Sequence, residues 1–303
     1  MRPAIAGGEK NVRLIIVPDG KLHLLPIDGL QDDQGRYVVE SNVVTYSPSA
    51  TALYLLRSAR SSEHAQRSFL GIGDVLYPRS SVVNASVTGR SAAKGNDGAA
   101  LFELKAPNLA ELPGSGEEVI SAARILKGDT HLLLAGNATE SALKSLRVSD
   151  FRIVHFAVHG IADPAFPDRA ALVLGSSPAS GEDGLLQVRE IRDLSLRADL
   201  VILSACESGK GKLLGEEGIA SLERAFLLAG ARSVIASLWT TDDIYTIALM
   251  KRFYQHLMDG EDEGAALRHA KLDLLKDFGE QALPTYWAGM TLVGEGSALS
   301  SHK

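Results

Sequence analysis

Three short apolar runs constrain the fold of this chain more than any other feature. Arg152-Ile-Val-His-Phe-Ala-Val-His-Gly160, Ala198-Asp-Leu-Val-Ile-Leu-Ser-Ala205 and Ser233-Val-Ile-Ala-Ser-Leu-Trp239 each read as a buried strand with almost no polar alternation. Strands of that kind lie in parallel sheets covered on both faces. Segments with helical spacing alternate with them. Gly218–Ala229 places Ile219, Leu222, Phe226 and Ala229 on one side and ends at Gly230, while Glu117–Leu126 repeats the pattern through Val119, Ala122, Ala123 and Leu126. A long helix is expected from Thr241-Asp242-Asp243 through Leu257, and another over Gly264–Phe278. The expected architecture is α/β, a mostly parallel sheet sandwiched between helices.

The beginning of the chain reads differently. Val12–Pro18 and Lys21–Pro26 flank Asp19-Gly20, a two-residue hairpin signal, and Tyr37–Glu40 with Val43–Tyr46 suggests a second antiparallel pair. The expected organisation is a small antiparallel N-terminal annex over residues 1–60, packed on a main domain over 68–294, with a tail at 295–303. Pro78–Ala100 reads as a surface excursion, Ile161–Arg169 as a polar loop and Tyr286–Val293 as a final strand.

Composition narrows the function. Hydrophobic residues are 45% and charged residues 22% of the 303, ordinary values for a soluble globular protein. A net charge of -6 gives no reason to expect nucleic-acid binding. The single cysteine excludes an internal disulfide, and no Cys-x-x-Cys or histidine–glutamate zinc spacing occurs, so no metal or other cofactor is expected. No apolar stretch has the length of a membrane span and the start lacks a signal-peptide core, which makes the reducing cytoplasm the expected location. Gly71-Ile-Gly73-Asp74 and Gly209-Lys-Gly211 do not complete a phosphate-loop pattern, and Gly-x-Ser-x-Gly is absent.

The chemistry concentrates at two strand ends. Cys206 follows one apolar run and His159-Gly160 closes another, so a parallel arrangement opens both onto one crevice. A thiol beside an imidazole is the minimum equipment for cysteine nucleophilic catalysis. Gly160 and Cys206 could supply backbone amides to a developing oxyanion. Spacing alone is equally compatible with Cys206 as a small buried hydrophobe and Gly160 as a simple turn. His155 lies deeper in its strand and reads as a structural histidine, and Ser204 as hydrogen-bonding support. The substrate-pocket candidates are Asp163, Glu207, Trp239, Asp242 and Asp243, with Glu216 and Glu217 nearby; carboxylates there would favour a basic side chain before the scissile bond. Asp242 and Asp243 are also explicable as helix-start residues, and Trp239 as core.

These residues resemble the CHAT domain, a caspase-like cysteine peptidase domain often joined to tetratricopeptide repeats. The resemblance rests on His155-Phe-Ala-Val-His159-Gly160, Leu203-Ser-Ala-Cys206-Glu-Ser-Gly209, Gly215-Glu-Glu-Gly218 and Arg224 through Trp239. Leu24-Leu25-Pro26, Tyr46-Ser-Pro48-Ser49, Leu112-Pro113-Gly114 with Glu117-Glu118, and Tyr286-Trp287-Ala288 extend it over nearly the whole chain. It implies the caspase, separase and gingipain-like fold, His159 and Cys206 as the dyad, oxyanion amides from Gly160 and Cys206, and metal-independent proteolysis of a protein substrate. Tetratricopeptide repeats are not recognisable in this sequence. Bacterial relatives act in defence systems, some on gasdermin-like pore formers and some under a regulatory complex. The resemblance leaves open a non-catalytic interaction scaffold and a small-molecule acyltransferase or thiolesterase.

Overall fold

The computed structural model describes residues 12–58, 65–77, 109–163, 166–177, 180–204, 216–239 and 241–296. Its strands are β1 (Val12–Ile16), β2 (Asn42–Tyr46), β3 (Arg67–Gly73), β4 (Thr130–Leu134), β5 (Phe151–Phe156), β6 (His159–Asp163), β7 (Phe166–Val173), β8 (Leu185–Gln187), β9 (Leu200–Leu203), β10 (Ser233–Ser237) and β11 (Met290–Gly294). The main helices are α1 (Ala50–Ser58), α2 (Pro113–Leu126), α3 (Glu140–Ser145), α4 (Val188–Asp193), α5 (Glu216–Ala229), α6 (Asp243–Met258) and α7 (Glu263–Phe278). Eight strands form one sheet in the order β1-β2-β11-β10-β9-β5-β3-β4, and β6-β7-β8 form a small antiparallel sheet. Within the large sheet β10–β11 is the antiparallel pairing and the other described pairings are parallel.

Both faces of the large sheet are covered, which is why its strands lack polar alternation. Along β5 and β9, Val154, Phe156, Val201 and Leu203 face α5 and the small sheet, where Leu172, Ile191, Leu222 and Phe226 complete the core. Their neighbours Ile153, Leu200 and Ile202 face α2, α6 and α7, against Val119, Leu249, Phe253 and Leu267. Phe156 and Phe226 are both fully buried with ring centroids 5.4 Å apart. Each such ring contributes roughly 1.5–3 kcal/mol relative to exposure.

Local chemistry sets the helix boundaries. The Asp242 carboxylate accepts from Ile244 N at 2.9 Å and starts α6; Asp262 accepts from Ala265 N at 2.9 Å and starts α7. Close packing of α2 on β3 requires missing side chains. A Cβ at Gly73 would sit 2.7 Å from the Ser115 carbonyl oxygen, and one at Gly71 within 2.9 Å of Phe69, Leu132 and Val119. Helix packing therefore accounts for the Gly71-Ile-Gly73 pattern.

The mostly parallel α/β class expected from the sequence is the class observed, and a small antiparallel sheet is present. Several details differ. The hairpin across Asp19-Gly20 does not form: Gly20–Leu24 is a 3-10 turn, and β1 pairs in parallel with β2. Tyr37–Glu40 is not a strand either, because Val38–Ser41 makes a helical turn before β2. Thus β1 and β2 join the large sheet, and the antiparallel sheet comes from β6, β7 and β8 instead. The polar stretch Ile161–Arg169 forms much of the β6–β7 pairing, where ladder hydrogen bonds need no apolar side chains. Finally, the apolar run ending at Gly160 is two strands. Ala157 N bonds to the Ile72 carbonyl at 2.8 Å, after which the chain leaves the large sheet and His159 pairs with Val173. The Tyr286–Val293 region likewise begins with a helical turn, Pro284–Trp287, before β11. Pro78–Ala100 lies outside the described residues.

Candidate active site

The parallel pairing of β5 with β9 aligns Phe156 with Leu203. His159 lies three residues beyond Phe156, and Cys206 lies three beyond Leu203. Ser204 N still bonds to the Phe156 carbonyl at 3.2 Å, so the two segments leave the same sheet edge side by side. Cys206 and Glu207 themselves lie outside the described residues.

His159 is fully buried and held from three directions. Its ring Nε2 is 2.8 Å from the Ala110 carbonyl, an acceptor, so Nε2–H donates and the neutral ring carries its lone pair on Nδ1. Its backbone N–H donates to the Tyr77 hydroxyl at 3.1 Å, and that hydroxyl donates to the Val173 carbonyl at 3.2 Å. The Tyr77 ring packs 4.8 Å from the imidazole, centroid to centroid. Burial lowers the His159 pKa from its ordinary value, against the opposing influence of the Ala110 hydrogen bond and the Asp243 negative charge. A neutral imidazole with a fixed tautomer is a competent proton acceptor.

His155 has a different environment. It is completely buried, with Nδ1 2.9 Å from the Tyr254 hydroxyl and Nε2 2.9 Å from Ser204 Oγ. Burial pushes the Tyr254 pKa well up, so its hydroxyl stays protonated and donates to Nδ1. Nε2–H then faces both Ser204 Oγ and Glu118 Oε1, the latter 3.1 Å away. This is the structural histidine expected from its depth in the strand, with Ser204 in the supporting role.

A pocket of about 360 Å³ opens beside these strand ends, with Gly114, Glu118, Ala157, Ser204 and Asp243 in its walls. Two carboxylates give it acidic character. Asp243 is exposed in the first turn of α6, where Oδ2 is 3.3 Å from the Gly114 amide. Glu118 is buried, and its Oε1 accepts no well-formed hydrogen bond.

The remaining sequence candidates are scattered. Asp242 caps α6 and is absent from the pocket wall. Trp239 donates from Nε1 to the Thr285 carbonyl at 2.7 Å and walls a separate apolar groove with Leu25, Pro26, Leu30, Pro284 and Ala288. Asp163 ends β6 with its side chain outside the described residues, as are the side chains of Glu216 and Glu217 at the start of α5. Gly160 is buried in β6 opposite Leu172. Sequence reasoning missed Tyr77, the Ala110 carbonyl, Tyr254 and the pocket position of Glu118. Glu118, in the Leu112-Pro113-Gly114 and Glu117-Glu118 pattern, and Tyr254, in the Phe253-Tyr254 pair that also fits the family resemblance, had a visible signal; Tyr77 and the Ala110 carbonyl come together only through tertiary packing.

Among the described residues two clusters have metal-ligand composition. Glu140, Glu182 and Glu190 surround Lys144 Nζ, whose ammonium already occupies their centre at 2.6–2.9 Å. His256, Glu261 and His269 bring their ligand atoms within 4.8 Å of one another, at the opposite end of α6 from Asp243. Their present contacts are hydrogen bonds, His269 Nδ1 with Glu261 at 2.6 Å and His256 Nε2 with Asp273 at 2.8 Å. No helix of the described residues is long and apolar enough to cross a membrane.

The family pattern described as the CHAT domain matches residues 1–295. Tetratricopeptide repeat protein 28 of Mus musculus is 32% identical over 117 residues, covering 39% of this chain and 5% of that protein. The chain thus corresponds to a small part of that relative. Among solved structures, the Arg-specific cysteine proteinase gingipain R gives a TM-score of 0.53 at 10% identity, covering 98% of this chain and 65% of that one. Saccharomyces cerevisiae separase in complex with securin gives 0.51 at 14% identity, covering 92% of this chain and 15% of that one. At these identities the likeness to gingipain and separase is one of fold.

Proposed function

The chain belongs to the CHAT domain family and has a gingipain- and separase-like fold, and from that premise we propose that it is a cysteine endopeptidase acting through His159 and Cys206. The observation that carries this reading is the β5–β9 register, which pairs Phe156 with Leu203, three residues before His159 and Cys206 in sequence, together with the oriented imidazole of His159.

In the proposed reaction His159 Nδ1 takes the Cys206 thiol proton as sulfur attacks the peptide carbonyl. The Ala110 carbonyl holds Nε2–H throughout and takes the orienting role of a third catalytic group. The amides of Gly160 and Cys206 stabilise the tetrahedral oxyanion, each such donor contributing about 3 kcal/mol. The intermediate collapses as Nδ1–H protonates the leaving amine, giving a Cys206 thioester. Water, deprotonated by the same nitrogen, then releases the acid and restores the thiol.

The acidic pocket supports a basic residue before the cut. Asp243 at its edge and Glu118 in its wall would together attract and hold a cationic side chain. A gasdermin-like protein substrate, a regulatory protein partner, a cytoplasmic location and a place in a bacterial defence system rest on the sequence resemblance alone. The decisive experiment is Cys206→Ala: cleavage of a cognate protein disappears while circular dichroism is unchanged. Retained cleavage at equal protein concentration rejects the nucleophile assignment.

A further inference from the structure

A second cavity, with a buried charged group in its wall, lies on the α5 face of the large sheet. It measures about 780 Å³ and lies between the first turns of α5 and the β2–β11–β10 part of the sheet. Most of its wall is apolar, including Pro18, Leu24, Pro48, Ile219, Leu238 and Val293. It shares no lining residue with the acidic pocket beside His159.

Glu223 interrupts this apolar wall. Its relative exposure is 8%, and it makes no hydrogen bond or ion pair among the described residues. Burying a carboxylate without a partner is costly, so such a group either keeps its proton or awaits a cation. Burial pushes the Glu223 pKa up to about 8, against the favourable charge of Arg224. Arg224 is itself exposed and turns its guanidinium to Ser221 Oγ at 3.3 Å, so it does not neutralise Glu223 by contact. His23, half-buried, is another titratable group on the wall, and the Tyr46 hydroxyl is engaged with Ile27 N and the Leu25 carbonyl.

We propose that this cavity is a binding site for an alkyl-ammonium or alkyl-guanidinium group, with Glu223 receiving the cation and the apolar wall its hydrocarbon stem. Small-ligand sites combine an apolar lining with a few polar anchors, and this wall has that make-up. The same chemistry is available from a free polyamine or from a basic side chain presented by a polypeptide. Neither source requires the proposed peptidase activity.

The test is isothermal titration of the full chain with agmatine and, separately, with acetyl-Gly-Arg-Gly-amide. Saturable binding of agmatine alone assigns a free amine, and binding of the peptide assigns a presented side chain. Either is expected to weaken about a hundredfold in Glu223→Gln, since a buried charged pair loses one partner. Asp243→Asn controls for binding in the acidic pocket and is expected to leave this affinity unchanged. Thermal unfolding of both variants verifies the fold. Binding lost in Asp243→Asn but kept in Glu223→Gln overturns the proposal, as does no saturable binding of either probe, or equal binding of neutral 1-butanol.

Discussion

Glu118 and Asp243 face one pocket from different dielectric surroundings, and that difference predicts an order of effects. Asp243 is exposed. A cation about 4 Å away in water gains only about 1 kcal/mol from such a charge. Asp243→Asn should therefore lower kcat/KM for an arginine-P1 peptide by about fivefold. Glu118 is 6% exposed, with a buried oxygen that accepts no well-formed hydrogen bond. For a pair so removed from water, loss of one charge costs about 2–5 kcal/mol. Glu118→Gln should accordingly lower the same constant by about thirtyfold or more. The glutamine keeps a carbonyl oxygen that can face His155 Nε2, so the neighbouring network has reason to survive. The assay compares paired fluorogenic peptides differing only in arginine or leucine at P1, with thermal unfolding as the control for folding. The leucine peptide should change little in either variant. An arginine-to-leucine ratio unchanged in both variants would refute the acidic-pocket reasoning, and a larger effect from Asp243 than from Glu118 would refute the dielectric argument.

Two further outcomes are expected. Burial favours neutral His159, so the acid limb of kcat/KM should lie below the usual imidazole titration; because Asp243 pulls that pKa upward, Asp243→Asn should move the limb to lower pH, and a shift to higher pH would contradict the assignment. Lys271 and Asp28 form a buried ion pair joining α7 to the N-terminal segment. Lys271→Met leaves Asp28 uncompensated and should cost about 3–5 kcal/mol, a fall of about 6–10 °C in Tm at roughly 2 °C per kcal/mol. The double variant Lys271→Met with Asp28→Leu should recover most of the loss, and a single-variant loss under about 1 kcal/mol would show that the pair is not desolvated.

The sequence by itself determined the layered α/β class. A strand whose two faces both meet apolar partners must be apolar at consecutive positions, as Val154 and Ile153 or Val201 and Ile202 are, and that pattern is local. It also singled out His159, Cys206 and Asp243 as candidates for chemistry, and the helix starts at Asp242 and Asp262 carry the signature of exposed amides seeking a carboxylate. What it could not determine were pairings without a local rule. Val12–Ile16 is equally able to bond its neighbour in a hairpin or a strand some thirty residues on, and only the large sheet decides for the latter. The run ending at Gly160 looked continuous because the departure of His159 into a second sheet depends on β7, not on its own residues. The Ala110 carbonyl on the imidazole, the Tyr254 hydroxyl on His155 and the unpartnered Glu223 are likewise tertiary facts. A backbone carbonyl has no sequence signal, and the environment that shifts a buried group's charge is assembled from segments far apart along the chain.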